Sequence, residues 1–228
     1  MPIWLLVSAV IAPAIFWIGY FYYKDRFRPE PLVNMGLTYI LGFGSGYACY
    51  KFYGLLPLLG IPADPSGLME GQGLLFFGYC IGVVGVVEEL FKFMPFIPII
   101  LIFKEFDEEI DGIIYASVLA LGFASLENLH HLLYLRGFEL FGRALATPLT
   151  HTVFASIWGY MVGRARLAQK SLFGAALIGL LISSLGHGIF DFLTLSVSLR
   201  LAAAGLILVI WCWRIYLIEK LHKTTSGS

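Results

Sequence analysis

Carboxylates and histidines lie inside apolar runs of this sequence, where ionisable side chains are normally avoided. The run IGVVGVVEELFKFMPFIPII, residues 81–100, holds Glu88, Glu89 and Lys92. Six further ionisable residues lie in the three apolar runs that follow: Glu127, His130, His131, His151, His187 and Asp191. A charged group at the centre of a bilayer costs at least about 2.5–3.5 kcal/mol, so ionisable residues kept there are functional candidates. Carboxylates and imidazoles together can activate a water molecule or hold a metal ion.

The spacing within each run indicates which of these groups can work together. Glu88 and Lys92 are i and i+4 on a helix and share a face, whereas Glu89 points about 100° away. We predict a glutamate general base here, Glu88 or Glu89, with Lys92 as a supporting cation. The alternative is a structural pair neutralised by Lys92. His187 and Asp191 are also i and i+4, so the aspartate can fix the tautomer of the imidazole.

The composition predicts an all-α membrane protein. The chain of 228 residues is 59% hydrophobic and 13% charged, with a mean hydropathy of +0.83. Soluble domains are roughly a quarter charged. The net charge of zero does not bear on a nucleic-acid partner, but no basic stripe is visible in the sequence, so none is expected. The expected environment is the lipid bilayer.

Seven apolar runs (an eighth is possible) predict a polytopic transmembrane bundle: 2–23, 32–53, 71–103, 110–134, 144–162, 171–194 and 200–218. Lysines and arginines of the connecting loops favour one side, nine against four, which predicts an outside N-terminus and a cytoplasmic C-terminus. Residues 1–223 are expected to form a single domain, and residues 224–228 a disordered tail. The run 71–103 is too long for one straight crossing, so we expect a tilt, a projection or a break near Gly82, Gly85, Pro95 or Pro98.

Three of the ionisable residues have matched depths in this topology. Glu127, His151 and His187 each lie seven residues from the outer end of their run, about 10 Å below the outer surface. We therefore expect these three side chains to meet. Asn128 is predicted to lie next to the reacting side chains and to support them without reacting itself. The remaining ionisable groups are interpreted as interfacial or solvated: His130 and His131 at the outer end, and Asp107, Glu108, Glu109 and Asp111 on the cytoplasmic side.

Four short segments resemble the motifs of a known family, the PrsW intramembrane proteases. They are EELFK from Glu88, GFASLEN ending at Asn128, THTVFASIWGY around His151, and HGIFDF from His187. Their order and spacing fit that family, and the resemblance covers about residues 70–195. The family is similar to the wider group of CAAX prenyl-protease and bacteriocin-processing proteins. Those enzymes carry E-E-x-x-x-R, and a histidine where this chain has Glu127, so Lys92 and Glu127 fit the PrsW motifs better.

The resemblance implies an activity and a substrate. A PrsW-like protein of a bacterial plasma membrane is expected to make the first, site-1, cut in a single-span anti-sigma factor, on its extracytoplasmic side. That cut would begin the release of a sigma factor under envelope stress or antimicrobial peptides.

The mechanism expected from these residues is peptide hydrolysis at Glu88, Glu89, Glu127, His151 and His187. Glu127, His151 and His187 could hold zinc, since a His2Glu set is a known zinc arrangement. A metal-free glutamate mechanism stays open, with the histidines stabilising the oxyanion directly. The alternative function is a proton- or ion-coupled transporter, because buried Glu, His and Asp also form proton relays. No duplicated halves are visible in the sequence, in contrast to many transporters.

Overall fold

The computed structural model describes residues 10–63, 65–69, 73–131, 137–195 and 197–225. The helices are α1 (Ala12–Lys24), α2 (Leu32–Tyr53), α3 (Gly73–Tyr79), α4 (Val86–Phe93), α5 (Phe96–Ile102), α6 (Glu109–His131), α7 (Gly137–Leu167), α8 (Leu172–Leu195) and α9 (Arg200–Thr225). A π-helical turn, Cys80–Gly85, joins α3 to α4. Single turns of helix occur at Leu56–Leu59, Ser66–Met69 and Val197–Leu199. The described ranges contain no β-strand, which confirms the predicted all-α class.

Four helical segments of the described chain are long and apolar enough to cross a membrane: Gly73–Ile102, Glu109–His131, Leu172–Leu195 and Arg200–Lys223. Helices also lie in the other three predicted runs, as α1, α2 and α7, but over their described residues they do not meet the same combined measure of length, hydropathy and charge. The count of seven spans and the orientation therefore stay predictions. α9 continues to Thr225, so the predicted tail begins within a helix, and residues 226–228 lie outside the described chain.

α6 is the central helix of the bundle, with almost its whole length buried between α2 and α7. Small residues permit this packing. A Cβ added to Gly112 would collide with the backbone oxygen of Gly159 on α7, and the reverse is also true. Helices in lipid gain contact chiefly by such close approach of backbones. The result is a rigid α6–α7 pair that carries Glu127 and His151.

The long third run is divided rather than straight, which is one of the three alternatives that its length left open. The π-helical turn precedes α4, and Pro95 is the N-cap of α5 after a break at Met94. Single π turns often occur at functional sites, because they redirect the residues that follow. Here the turn places Glu88 and Glu89 in the first turn of α4, facing α8.

The connection between α1 and α2 contacts the start of α6 through buried carboxylates. Asp25 Oδ2 accepts a hydrogen bond from the Glu30 backbone N–H at 2.9 Å, and the Tyr115 hydroxyl donates to Glu30. Asp111 was expected on a solvated face, but it is 1% exposed. Its Oδ2 accepts the backbone N–H groups of Asp107 and Glu108 at 2.8 and 2.7 Å, so it is buried as a cap of α6.

Candidate active site

Glu89 is the most fully bonded side chain of the site. It is 0% exposed, and donors from three helices converge on its two oxygens. Oε1 lies 2.8 Å from Lys92 Nζ and 2.9 Å from His187 Nδ1, and Oε2 accepts the Trp158 indole N–H at 2.8 Å. An ionised carboxylate only accepts hydrogen bonds, so the proton of neutral His187 belongs on Nδ1. Glu89 is therefore placed to fix the tautomer of His187, and its geometry is not that of a base facing water.

Glu88 lies beside it and faces both histidines. Its Oε2 is 3.8 Å from His187 Nε2, 3.9 Å from His151 Nδ1 and 3.7 Å from Lys92 Nζ. Glu88 Oε2 and His151 Nδ1 are buried and have no hydrogen-bond partner among the described residues. The other carboxylate oxygen, Oε1, lies 3.3 Å from the Tyr53 hydroxyl. Two buried, unpartnered acceptors aimed at one point are costly unless something binds between them.

These groups fit a metal ion. One atom each from Glu88, His151 and His187 lies within 4.8 Å of the others, and all three residues are buried. Ligands about 2.0–2.2 Å from a shared zinc ion lie about 3.4 Å apart in a tetrahedron. The spacings of 3.8 and 3.9 Å from Glu88 Oε2 are close to that value. Two imidazoles and one carboxylate are also a ligand set that zinc accepts in open, catalytic sites.

Glu127 differs from its predicted role. The sequence grouped it with His151 and His187 as a ligand, but its Oε2 lies 2.7 Å from His151 Nε2, on the ring edge away from Glu88. Arg143, at the beginning of α7, forms an ion pair with its Oε1. Glu127 is thus paired with His151 by charge and proximity, but unlike Glu89 with His187 its Oε2 makes no hydrogen bond within the described residues. The equal-depth argument placed it correctly near His151, but depth alone does not say which ring nitrogen it meets.

Asp191 contacts His187, as the i, i+4 spacing predicted, but on the ring edge that faces Glu88. Its Oδ2 lies 3.6 Å from His187 Nε2, the nitrogen that faces Glu88, while Glu89 occupies the Nδ1 side.

Asn128 is buried, and its Oδ1 has no partner among the described residues. His131 Nδ1 contacts the Glu127 backbone oxygen at 2.9 Å, and His130 packs on the ring of Tyr50, so neither belongs to the three-ligand group.

A cavity of about 940 Å³ leads to the site. Glu88 and Glu127 lie on its wall, and α2 contributes Tyr47, Tyr50 and Tyr53.

Three residues of the site were not found by sequence reasoning. Trp158 had a usable signal, since it lies in THTVFASIWGY and is an indole donor at the depth of a buried carboxylate. Tyr53 and Arg143 lie outside the four motifs, and no pattern distinguishes them.

Comparison with known proteins agrees with the resemblance seen in the motifs. A profile described as "PrsW family intramembrane metalloprotease" matches residues 31–218. Curated relatives named "Protease PrsW" include those of Oceanobacillus iheyensis, which is 30% identical over 96% of this chain and 97% of its own, and Clostridioides difficile, which is 32% identical over 100% and 93%. The Bacillus subtilis relative is 30% identical over 85% and 84%. No solved structure matches. The helical bundle, the four motifs and the buried Glu–His–His group therefore have one common explanation: the chain belongs to the PrsW family of intramembrane metalloproteases.

Proposed function

We propose that this peptidase holds a zinc ion on Glu88 Oε2, His151 Nδ1 and His187 Nε2 and hydrolyses peptide bonds there. The observation that carries the proposal is the pair of buried, unpartnered acceptors, Glu88 Oε2 and His151 Nδ1, which converge with His187 Nε2. Family membership makes the protein a multi-pass bacterial membrane enzyme, and it sets aside the ion-coupled transporter.

Bound zinc lowers the pKa of a water molecule and polarises a carbonyl group. The side chains around the site prepare the ligands for it. Glu89 holds the Nδ1 proton of His187, and Glu127 faces the Nε2 edge of His151, so each imidazole presents its lone pair to the same point. Lys92 lies within 4 Å of Glu88 and Glu89 and offsets their charge. The second oxygen of Glu88, Oε1, lies 3.3 Å from the hydroxyl of Tyr53, another residue of the cavity wall, and there it can accept a proton from the attacking water.

The finer assignments of topology and substrate belong to the same proposal. Residues 1–223 form one domain of seven spans, with the N-terminus outside and the C-terminus in the cytoplasm. Its substrate is a single-span anti-sigma factor, and its reaction is the first cut that releases a sigma factor in an envelope-stress response. The support is family membership and a site that the span count puts about 10 Å below the outer surface. A cavity walled mainly by aromatic and aliphatic residues suits an unwound apolar segment of such a protein.

The experiment is cleavage of a single-span anti-sigma-type substrate by the purified protein in nanodiscs. Wild type is compared with Glu88→Gln and with the exposed control Glu219→Gln, each with and without a strong chelator, and bound zinc is quantified. We expect one zinc per wild-type chain, loss of zinc and cleavage in Glu88→Gln, and no change in the control. Chelator-resistant cleavage by a metal-free protein would refute the zinc site and favour Glu88 as a metal-free base. A substrate cut only in its cytoplasmic part would refute the proposed side of cleavage.

A further inference from the structure

We propose that the Tyr53 hydroxyl is a catalytic group, which donates a hydrogen bond to the scissile carbonyl oxygen as negative charge develops on it. This inference rests on the proposed peptidase site and names a residue outside the four motifs. Tyr53 is the last residue of α2, whereas the other site residues come from α4, α6, α7 and α8: Glu88, Glu89, Glu127, His151 and His187.

The position of the hydroxyl carries the argument. It lies 3.3 Å from Glu88 Oε1, the oxygen of that carboxylate not directed at the histidines. Tyr53 is also on the wall of the 940 Å³ cavity, next to Glu88. A carbonyl bound against Glu88 Oε1 in this cavity would therefore lie beside this hydroxyl. Oxyanion-stabilising groups have this placement: a neutral donor, fixed before the substrate arrives, at the edge of a water-poor site.

A second contact of α2 shows how the hydroxyl is kept in place. Ser45, two helical turns before Tyr53, donates its hydroxyl to the backbone oxygen of Phe91 on α4. The same helix face thus contacts α4 twice, once through a backbone oxygen and once through the reactive carboxylate. Because Ser45 fixes α2 against α4, the Tyr53 hydroxyl is already in position before a substrate binds.

The step that this hydroxyl assists can be written in full. Before substrate binds, the phenol donates to Glu88 Oε1. When a carbonyl oxygen arrives, the O–H rotates to it without movement of the ring, and Oε1 is left free. Water then attacks: its oxygen forms a bond to the carbonyl carbon, its proton passes to Oε1, and the π electron pair moves onto the carbonyl oxygen. Collapse breaks the C–N bond, and the proton on Oε1 is transferred to the departing nitrogen. Tyr53 keeps its own proton throughout.

The test is Tyr53→Phe, which removes the hydroxyl and keeps the ring. The control is Tyr216→Phe, an exposed tyrosine of α9 that lies outside the cavity wall. Loss of one oxyanion donor lowers kcat about 10²-fold. We expect that loss in Tyr53→Phe, with KM, zinc affinity and thermal unfolding as in wild type. A phosphinic peptide that imitates the tetrahedral oxyanion should bind the variant more weakly by a similar factor, whereas a non-cleavable ground-state peptide should not.

Two results would overturn the assignment. One is a Tyr53→Phe enzyme with the kcat of wild type and of Tyr216→Phe. The other is a drop in zinc affinity of about 10–100-fold that accounts for the lost activity, since the hydroxyl would then act only by orienting Glu88. Glu88→Gln, assayed in parallel, reports on the peptidase site itself. If Glu88→Gln cleaved normally, the site and the role of Tyr53 would both be wrong, whereas a normal Tyr53→Phe beside an inactive Glu88→Gln would leave the site intact.

Discussion

Gly188 offers the sharpest test of how the site is positioned, because it follows His187 and packs directly on the π-helical turn. A Cβ at this residue would lie 2.5 Å from Ile81 Cα and 2.6 Å from Cys80 O. Carbon atoms in contact are about 3.5–4.0 Å apart, so Gly188→Ala must separate α8 from the turn by about 1 Å. These are backbone atoms, and no side-chain rotation relieves the contact. His187 Nδ1, now 2.9 Å from Glu89 Oε1, would then be at or beyond the limit of a hydrogen bond.

The expected effect of Gly188→Ala is on catalysis more than on folding. A misplacement of about 1 Å costs about 10² in rate, and overpacking costs about 1–3 kcal/mol in free energy of unfolding. Cleavage and zinc affinity should both fall in the nanodisc assay, with thermal unfolding measured alongside. Gly174→Ala is the control on the same helix, because its added Cβ meets only Ser171 Oγ, at 3.6 Å. If Gly188→Ala cleaved and bound zinc as Gly174→Ala does, the proposed dependence of His187 on this crossing would be refuted.

Three further predictions concern the ion pairs and the cytoplasmic carboxylates. Glu89→Gln should lower zinc affinity about 10–100-fold, as measured by competition with a chelator, because an amide holds a ligating imidazole less firmly than a carboxylate does; unchanged affinity would remove Glu89 from the site. Lys92→Met should lower the free energy of unfolding by about 3–5 kcal/mol, since it leaves buried carboxylates unpaired, and the exposed Lys51→Met should be close to neutral in the same unfolding assay. Burial raises the pKa of Asp25 and of Glu30 to about 7, so the folded state binds protons more tightly than the unfolded state. Stability should therefore fall as pH rises from about 4 to about 7, with a smaller fall in Asp25→Asn; a thermal midpoint that increases from pH 5 to pH 8 would contradict this.

Much of the bundle could be predicted because the bilayer restricts what a sequence can do. Runs of about 20 apolar residues have few uses other than spanning helices, and ionisable groups inside them gather to reduce their cost. That argument predicted a meeting of Glu127, His151 and His187, and the structure brings all three within one cluster. For the long third run, the sequence left open a tilt, a projection or a break near Gly82, Gly85, Pro95 or Pro98, because the run is too long for one straight crossing, and only the structure distinguishes these.

The connections within the cluster could not be predicted, since they depend on atoms rather than residues. Helical spacing pairs Lys92 with Glu88, but the closer partner is Glu89, at 2.8 Å against 3.7 Å. An imidazole has two nitrogens on opposite sides, and no spacing rule says which one meets which carboxylate. Tyr53 comes from a helix that carries none of the motifs, and only the packing of α2 on α4 brings it to Glu88.

The contact between Lys92 and Glu89 also has a consequence for biosynthesis. The two side chains lie three residues apart on one helix, so they can meet as soon as that helix forms, before α6, α7 and α8 have been synthesised. When this segment reaches the translocon, Lys92 and Glu89 already neutralise each other. Their pairing lowers the free-energy cost of moving the segment into lipid. Glu88 remains the single unmatched charge of the segment, and its histidine neighbours arrive 63 and 99 residues later in the chain. The nascent enzyme is thus expected to enter the membrane without activity and to gain its site only when α8 packs against α4.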